Sequence, residues 1–72
     1  MKIRYKRIRE LREGANLTQK QIAEILYMHK TTYARYETGE REIPFNIVIL
    51  LAKYHRVSLD YIAGLTRNKE IR

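Results

Sequence analysis

The chain has 72 residues, of which 15 are lysine or arginine and 8 are aspartate or glutamate, and the resulting formal charge of +7 favours a polyanionic partner. This length suits one domain with a single small core, and the lack of cysteine excludes a disulfide framework and a thiolate zinc site. No apolar run is long enough to cross a membrane and the N-terminus lacks the apolar region of a secretory signal, so we expect a cytoplasmic protein with no membrane partner.

The first predicted helix covers residues 3–13. Ile8 and Leu11 recur there at the spacing of one helical face, among residues that are mostly charged. Gly14-Ala15-Asn16 follows, and glycine and asparagine most readily take the left-handed backbone that ends a helix. The pattern therefore predicts an amphipathic helix that stops at this point.

The second predicted helix, residues 19–26, begins with a strong capping signal. Thr18 precedes it and Gln21 stands three residues later, which is the pattern of a capping box. Leu17 and Ile22 flank this box at the spacing of a hydrophobic staple. A short connection, residues 27–29, leads to the next helix.

The third predicted helix, residues 30–37, has two faces of different chemistry. One face carries two long cationic side chains, Lys30 and Arg35, and two compact ones, Thr31 and Ala34. Tyr33 and Tyr36 lie together on another side and are expected to face the core. A polar face supported in this way suits a helix that enters the major groove of DNA.

The last two predicted helices cover residues 45–54 and 59–65. The first is nearly all apolar, which predicts burial on most sides, and it follows Pro44, a residue well tolerated at a helix start. Ser58 is a good N-cap for the second, and Asp60 in its first turn suits the helix dipole.

Together these elements predict an all-α domain of five helices around one core. We expect the domain to cover residues 1–66, and the aperiodic residues 67–72 to form a frayed tail. The sequence contains no repeat, no low-complexity tract and no glycine- or proline-rich linker.

Three segments carry a family resemblance: LTQKQIAEIL at residues 17–26, TTYARYETGER at 31–41 and VSLDYIAGL at 57–65. With them, the chain from about residue 8 to residue 65 resembles the lambda-repressor/Cro family of helix-turn-helix DNA-binding domains, often called the xenobiotic-response-element family. The resemblance implies a lambda-repressor-like fold in which helix 3 reads the major groove of double-stranded DNA, usually as part of a homodimer.

The resemblance also implies roles for individual residues. Base reading is implied for Lys30, Thr31 and Arg35, and phosphate contact for Gln19, Thr38 and Arg41. His29 stands where the family has a serine that caps helix 3, and we add it as an expected phosphate donor. An ion pair supporting the reading helix is implied for Arg12 and Glu37. A dimer surface is implied for Tyr61, Ile62 and Leu65.

Two bulky residues stand at positions where a left-handed backbone, and therefore glycine or asparagine, would be expected. The family places glycine where this chain has Tyr27, which implies either a positive φ at a bulky residue or a different turn. Arg56 follows helix 4 at a position where glycine or asparagine would be easier.

Other classes of function have little support. His29 and His55 lack companions at metal-ligand spacing, so we expect no metal, no cofactor and no small-molecule ligand. The chain shows no grouping of nucleophile and base, no glycine-rich phosphate loop and no carboxylate pair, so we do not expect an enzyme. Lys30 and Arg35 could also be ordinary solvated charges.

The sequence thus predicts a transcriptional regulator that binds double-stranded DNA specifically, and we expect it to be a repressor. One alternative is an antitoxin or phage Cro-like factor that regulates its own operon. Another is a protein-interaction or RNA-binding module on the same fold. Gln19 and the polar face of helix 3 favour DNA over this last alternative, because a domain that had lost its operator would not need them.

Overall fold

The computed structural model describes residues 5–70, and this part of the chain is entirely helical in its regular structure. Its five helices are α1 (Lys6–Gly14), α2 (Gln19–Ile25), α3 (Lys30–Thr38), α4 (Phe45–His55) and α5 (Leu59–Ala63). The prediction of an all-α, five-helix domain is confirmed. The predicted helix bounds are close except at the start of α1 and the end of α5.

Those two bounds differ for local reasons. Tyr5 is extended (φ −95°, ψ 91°) and precedes the first turn of α1, so this helix begins three residues after the predicted start. Residues 3 and 4, which were included in the prediction, lie outside the described residues. At the other end, Gly64 takes a left-handed backbone (φ 82°) and stops α5 before Leu65.

The capping box at the start of α2 forms as the sequence predicts. The Thr18 hydroxyl accepts from the backbone N–H of Gln21 at 3.1 Å, and the Gln21 side-chain oxygen accepts from the backbone N–H of Thr18 at 2.8 Å. Two backbone donors that the helix itself cannot use are thereby satisfied. The box fixes the first turn of α2, from which Gln19 projects.

The core lies where the helices meet. In the described part of the chain, five large side chains are at most 2% exposed: Ile8, Ile22, Tyr33, Leu51 and Ile62. α2 packs against α3, α1 lies against both α3 and α5, and α4 packs against α5. Since Tyr36 is buried as well, both tyrosines of α3 face inward as predicted, and the opposite side of α3 is left to solvent.

α4 is less enclosed than its composition suggests. Val48, Leu51 and Ala52 are buried, but Phe45 is 68% exposed and Leu50 is 45% exposed. The prediction of burial on most sides is therefore wrong. Within residues 5–70, the buried residues of α4 lie on the one side that carries Val48, Leu51 and Ala52.

The tail also differs from the prediction. Instead of fraying, residues 66–70 turn back along α5, and the carbonyl of Lys69 accepts from the backbone N–H of Ser58 at 2.9 Å. The Arg7 guanidinium donates to the carbonyls of Tyr61 and Thr66 and stacks over the Tyr61 ring, 4.2 Å from its centre. Residues 71 and 72 lie outside the described residues.

Among residues 5–70, three turns place residues other than glycine in the left-handed region: Asn16 (φ 58°), Tyr27 (φ 57°) and Arg56 (φ 57°). Of the two possibilities at Tyr27, the positive φ is therefore correct. Asparagine tolerates this conformation well, whereas a bulky residue is strained by about 1–2 kcal/mol.

Tyr27→Gly is expected to raise the free energy of unfolding by about 0.5 kcal/mol, because relief of the left-handed strain exceeds the added freedom of glycine in the unfolded chain. The Tyr27 side chain is 97% exposed, so its removal costs little packing. Urea denaturation measures the effect. Tyr27→Ala is the control, since it also removes the ring but keeps the strain, and equal stability of the two variants would refute the explanation.

His55 gives a second prediction, on pH. Its Nε2 atom is buried without a hydrogen-bond partner among residues 5–70, and burial lowers the pKa of His55 below the ordinary 6.5. The unfolded chain then binds the proton more readily, so this contribution to stability is complete above about pH 6.5 and is lost as the pH falls below it.

The unfolding free energy of the wild type should therefore decrease more steeply between pH 7 and pH 5 than that of His55→Phe, which keeps a ring and cannot be protonated. Denaturation at matched pH values measures both. If the two proteins lose stability in parallel, another group is responsible for the acid sensitivity.

Candidate nucleic-acid interface

The exposed face of α3 is the centre of the site. Lys30, Thr31 and Arg35 are all exposed, on the side of the helix opposite Tyr33 and Tyr36. The helical repeat places the three side chains near one another, and the buried tyrosines prevent the helix from rotating. The surface can therefore offer two cations and a hydroxyl as a fixed set of hydrogen-bond groups.

His29 lies immediately before this helix. Its backbone is extended and its side chain makes no capping hydrogen bond, although its carbonyl accepts from the backbone N–H of Tyr33 at 3.1 Å. The exposed imidazole is thus not used to cap α3. It stands at the end of the helix that also carries Lys30.

A buried carboxylate supports α3 on the side opposite its exposed face. Glu37 is 3% exposed and accepts from Arg12 twice, from Nε at 2.7 Å and from Nη2 at 3.1 Å. The remaining guanidinium nitrogen of Arg12 donates to the carbonyl of Leu17 at 2.8 Å. The residues expected to form an ion pair therefore tie α3 both to α1 and to the loop before α2.

The protonation state of Glu37 follows from these contacts. Burial alone would raise the pKa of Glu37, but donation from Arg12 and Gln19, together with the positive charge of Arg12, outweighs burial and holds the pKa below its ordinary value. Burial and the nearby carboxylate together raise the pKa of Tyr33. At neutral pH the pair is thus a carboxylate and a guanidinium, with a neutral phenol beside them.

Gln19 joins the same carboxylate from the first turn of α2. Its side-chain Nε2 donates to Glu37 Oε1 at 3.1 Å, and the residue is half-buried. A primary amide has two N–H groups, so one donor of Gln19 is used inside the protein. No sequence pattern indicates this contact, because Gln19 and Glu37 are 18 positions apart.

The loop after α3 contains the other two residues expected at phosphates. The Thr38 hydroxyl donates to the carbonyl of Arg35 at 3.1 Å and accepts from the backbone N–H of Glu40 at 3.3 Å. The hydroxyl thus has internal acceptors, the carbonyl of Arg35 and the Glu40 carboxylate at 3.3 Å, and it organises the exit of α3. Phosphate contact by the exposed Thr38 stays a prediction.

The side chain of Arg41 remains available for the predicted phosphate contact. Its backbone N–H donates to the carbonyl of Arg35 at 3.2 Å, which fixes the loop, while its side chain is exposed. Gly39, with φ 83°, makes the left-handed turn that this loop requires.

Only some of the residues expected at the dimer surface are exposed. Ile62 is 2% exposed and belongs to the core, so it is not available to a partner, and this expectation is wrong. α5 has only five residues, of which Ile62 is buried, whereas Leu59 is 38% exposed. Tyr61 is half-buried beneath Arg7, whereas Leu65, beyond the helix end, is 78% exposed.

Among residues 5–70, no group of three or more His, Cys, Asp or Glu side chains could hold a metal ion. No helix in this part of the protein is both long and apolar enough to cross a bilayer.

Comparisons with known proteins identify the family to which the chain is similar. The family model described as helix-turn-helix matches residues 8–62. The chain is 40% identical over 60 residues to the uncharacterized HTH-type transcriptional regulator YobD of Bacillus subtilis (strain 168), covering 83% of this chain and 54% of that protein. It is 34% identical over 59 residues to the HTH-type transcriptional regulator ImmR of the same organism, covering 82% of this chain and 46% of that protein.

A further relative is the HTH-type transcriptional activator BcrR of Enterococcus faecalis, 33% identical over 54 residues that cover 75% of this chain and 26% of that protein. The chain thus spans about half the length of the first of these relatives, or less of the others. No solved structure matches the chain. The helix-turn-helix formed by α2 and α3, the family match over residues 8–62 and the similarity to three regulators establish that this chain belongs to the helix-turn-helix family.

Proposed function

We propose that this domain binds double-stranded DNA sequence-specifically and thereby regulates transcription. The observation that carries the proposal is the exposed face of α3, where Lys30, Thr31 and Arg35 stand on a helix fixed by buried tyrosines and by Glu37. Relatives named as transcriptional regulators support it. The arrangement has donors for base edges, and it points to binding rather than to catalysis.

Each exposed group has a distinct proposed role. The Arg35 guanidinium presents two parallel N–H donors, which match O6 and N7 of guanine in the major groove. Lys30 and Thr31 read neighbouring base edges. Gln19, His29, Thr38 and Arg41 contact phosphates and set the register, and the Thr38 hydroxyl also organises the loop before Arg41.

We further propose that two copies bind together, since one helix reads too few base pairs to be selective in a genome. With Ile62 in the core, the apolar side chains left at this end of the molecule are Leu65 and Leu59, which is 38% exposed. The dimer contact is therefore assigned to the surface around Leu65. Sedimentation equilibrium of the free protein and of its DNA complex measures the stoichiometry.

Repression is the expected sign of regulation, because occupancy of a DNA site is enough to exclude other proteins from it. The relative in Enterococcus faecalis is named an activator, so a reporter gene placed behind the selected site is the deciding measurement.

Selection of bound sequences from random duplex DNA is the direct test of specific binding. We expect a two-fold symmetric consensus with guanine at a fixed position of each half-site, opposite Arg35. Recovery of no consensus would refute sequence-specific reading. Preferential recovery of RNA hairpins in a parallel selection would assign the surface to a different partner.

The affinity for duplex DNA is expected to fall steeply with salt. Several phosphate contacts in each subunit should give a slope of log affinity against log salt of about −5 or steeper for a dimer, because each contact releases a counterion. Fluorescence anisotropy titrations over a range of salt concentrations measure the slope. A flat response would contradict the proposal, since it would show that phosphates are not contacted.

A further inference from the structure

The Glu37 carboxylate is the point at which three helices are joined by side chains. Arg12 at the end of α1 and Gln19 at the start of α2 both donate to it, and Glu37 itself belongs to α3. Its oxygens divide this work: Oε2 accepts from Arg12 Nε, while Oε1 accepts from Arg12 Nη2 and from the Gln19 amide. The amide thus has a fixed internal partner before any DNA is bound.

This contact determines where the rest of the amide points. The carboxamide group is planar and its two N–H bonds diverge by about 120°, so fixing one bond fixes the direction of the other. Gln19 is half-buried, so part of this residue remains accessible to solvent. Ordering a side chain is one of the usual free-energy costs of forming a contact. Because this amide is already held in the free protein, that cost is avoided when it binds.

A carboxylate close to a phosphate site would normally repel the phosphate. Here Arg12 pairs with both oxygens of Glu37, so the local charge is balanced. The same guanidinium donates to the carbonyl of Leu17, directly before the capping box of α2. The start of α2 and the reading face of α3 are therefore held in one fixed relation.

We propose that Glu37 is a positioning residue for DNA binding: it holds the Gln19 amide so that the second N–H of this amide is aimed at a backbone phosphate. The inference rests on the proposed DNA-binding function, to which it adds the way in which the phosphate contact and the base-reading helix are kept in register.

The free protein provides the first test, without DNA. One of the two Gln19 Nε2 protons should exchange with solvent at least about tenfold more slowly than the side-chain amide protons of Gln21, as measured by NMR. Gln21 is a matched control in the same helix, because it uses its side-chain oxygen rather than its NH2 group for the capping box. Equally fast exchange in both residues would overturn the proposal.

The second test compares Gln19→Ala in two backgrounds, the wild type and Glu37→Gln. In Glu37→Gln, Arg12 and Gln19 compete for one carbonyl oxygen. Gln19→Ala should weaken operator binding about tenfold in the wild type, the usual effect of a hydrogen bond to a charged group, and less than about threefold in Glu37→Gln. A purely structural role for Glu37 would instead give the same ratio in both backgrounds.

The outcomes separate the two proposals. Equal ratios combined with specific DNA binding would overturn the positioning role and leave the DNA-binding function intact. Failure of the wild type to bind any duplex would overturn the function, while the exchange measurement would still report on the amide. If Glu37→Gln does not fold, the exchange rates of Gln19 and Gln21 in the wild type decide the matter alone.

Discussion

Glu37→Ala is expected to lower the free energy of unfolding by about 3 kcal/mol, because it leaves the Arg12 guanidinium without its partner in a largely buried position. The Arg12 side chain is 11% exposed and that of Glu37 is 3% exposed, so water replaces little of what is lost. Arg12→Ala should have a similar effect through the unpaired carboxylate. Chemical denaturation of both variants measures these values.

The exposed ion pair between Arg9 and Glu13 provides the control. Its side chains are 55% and 54% exposed, so Glu13→Ala should change stability by less than about 1 kcal/mol. The double variant Arg12→Ala, Glu37→Ala should lose less than the sum of the two single losses, because neither charge is then left alone. Neutral single variants would show that the pair does not hold α3 to α1.

The same pair predicts an acid response with a definite sign. Since the folded-state pKa of Glu37 is lowered from 4.5, the stability it contributes is present above about pH 4.5 and is lost as the pH falls through the folded-state pKa. This window lies below the one assigned to His55, so the two effects can be separated by pH.

Arg35→Ala is expected to weaken binding to the preferred operator by about 1–3 kcal/mol and to relax specificity at one base pair of each half-site. Non-specific binding should change little, because the guanidinium is aimed at a base edge rather than at a phosphate. The side chain is exposed, so fold stability should stay close to that of the wild type.

Arg41→Ala is the matched control, since it also removes an exposed arginine but from the loop that follows α3. It should weaken binding to all duplexes alike and reduce the salt slope by about one per subunit. The backbone hydrogen bond from Arg41 to Arg35 remains in this variant, so the loop keeps its shape. If Arg35→Ala weakens operator and scrambled duplex equally, the assignment of the reading face is wrong.

Features that depend on nearby residues could be predicted from the sequence. The capping box of Thr18 and Gln21, the inward tyrosines of α3 and the start of α4 after Pro44 all follow from spacing within about one or two helical turns. Family resemblance added the ion pair between Arg12 and Glu37, whose side chains are 25 positions apart. Neither spacing nor composition could have supplied that contact.

Several roles could be decided only by the tertiary structure, because they depend on which groups the packed chain brings together. Ile62 looks the same in sequence whether it faces a partner or the core, and packing of α5 against α1 and α4 places it in the core. From the sequence alone, Arg7 is expected to be a solvated cation. In the folded chain, α5 brings the carbonyl of Tyr61, 54 positions away, within hydrogen-bonding distance of Arg7. The sequence pattern places Thr38 and Gln19 near helix ends, but it does not show which of their protons already have partners inside the protein. The Thr38 hydroxyl has one proton to donate, whereas the Gln19 amide has two. Only the folded chain determines that the Thr38 proton has acceptors inside the protein and that Gln19 keeps one N–H to offer.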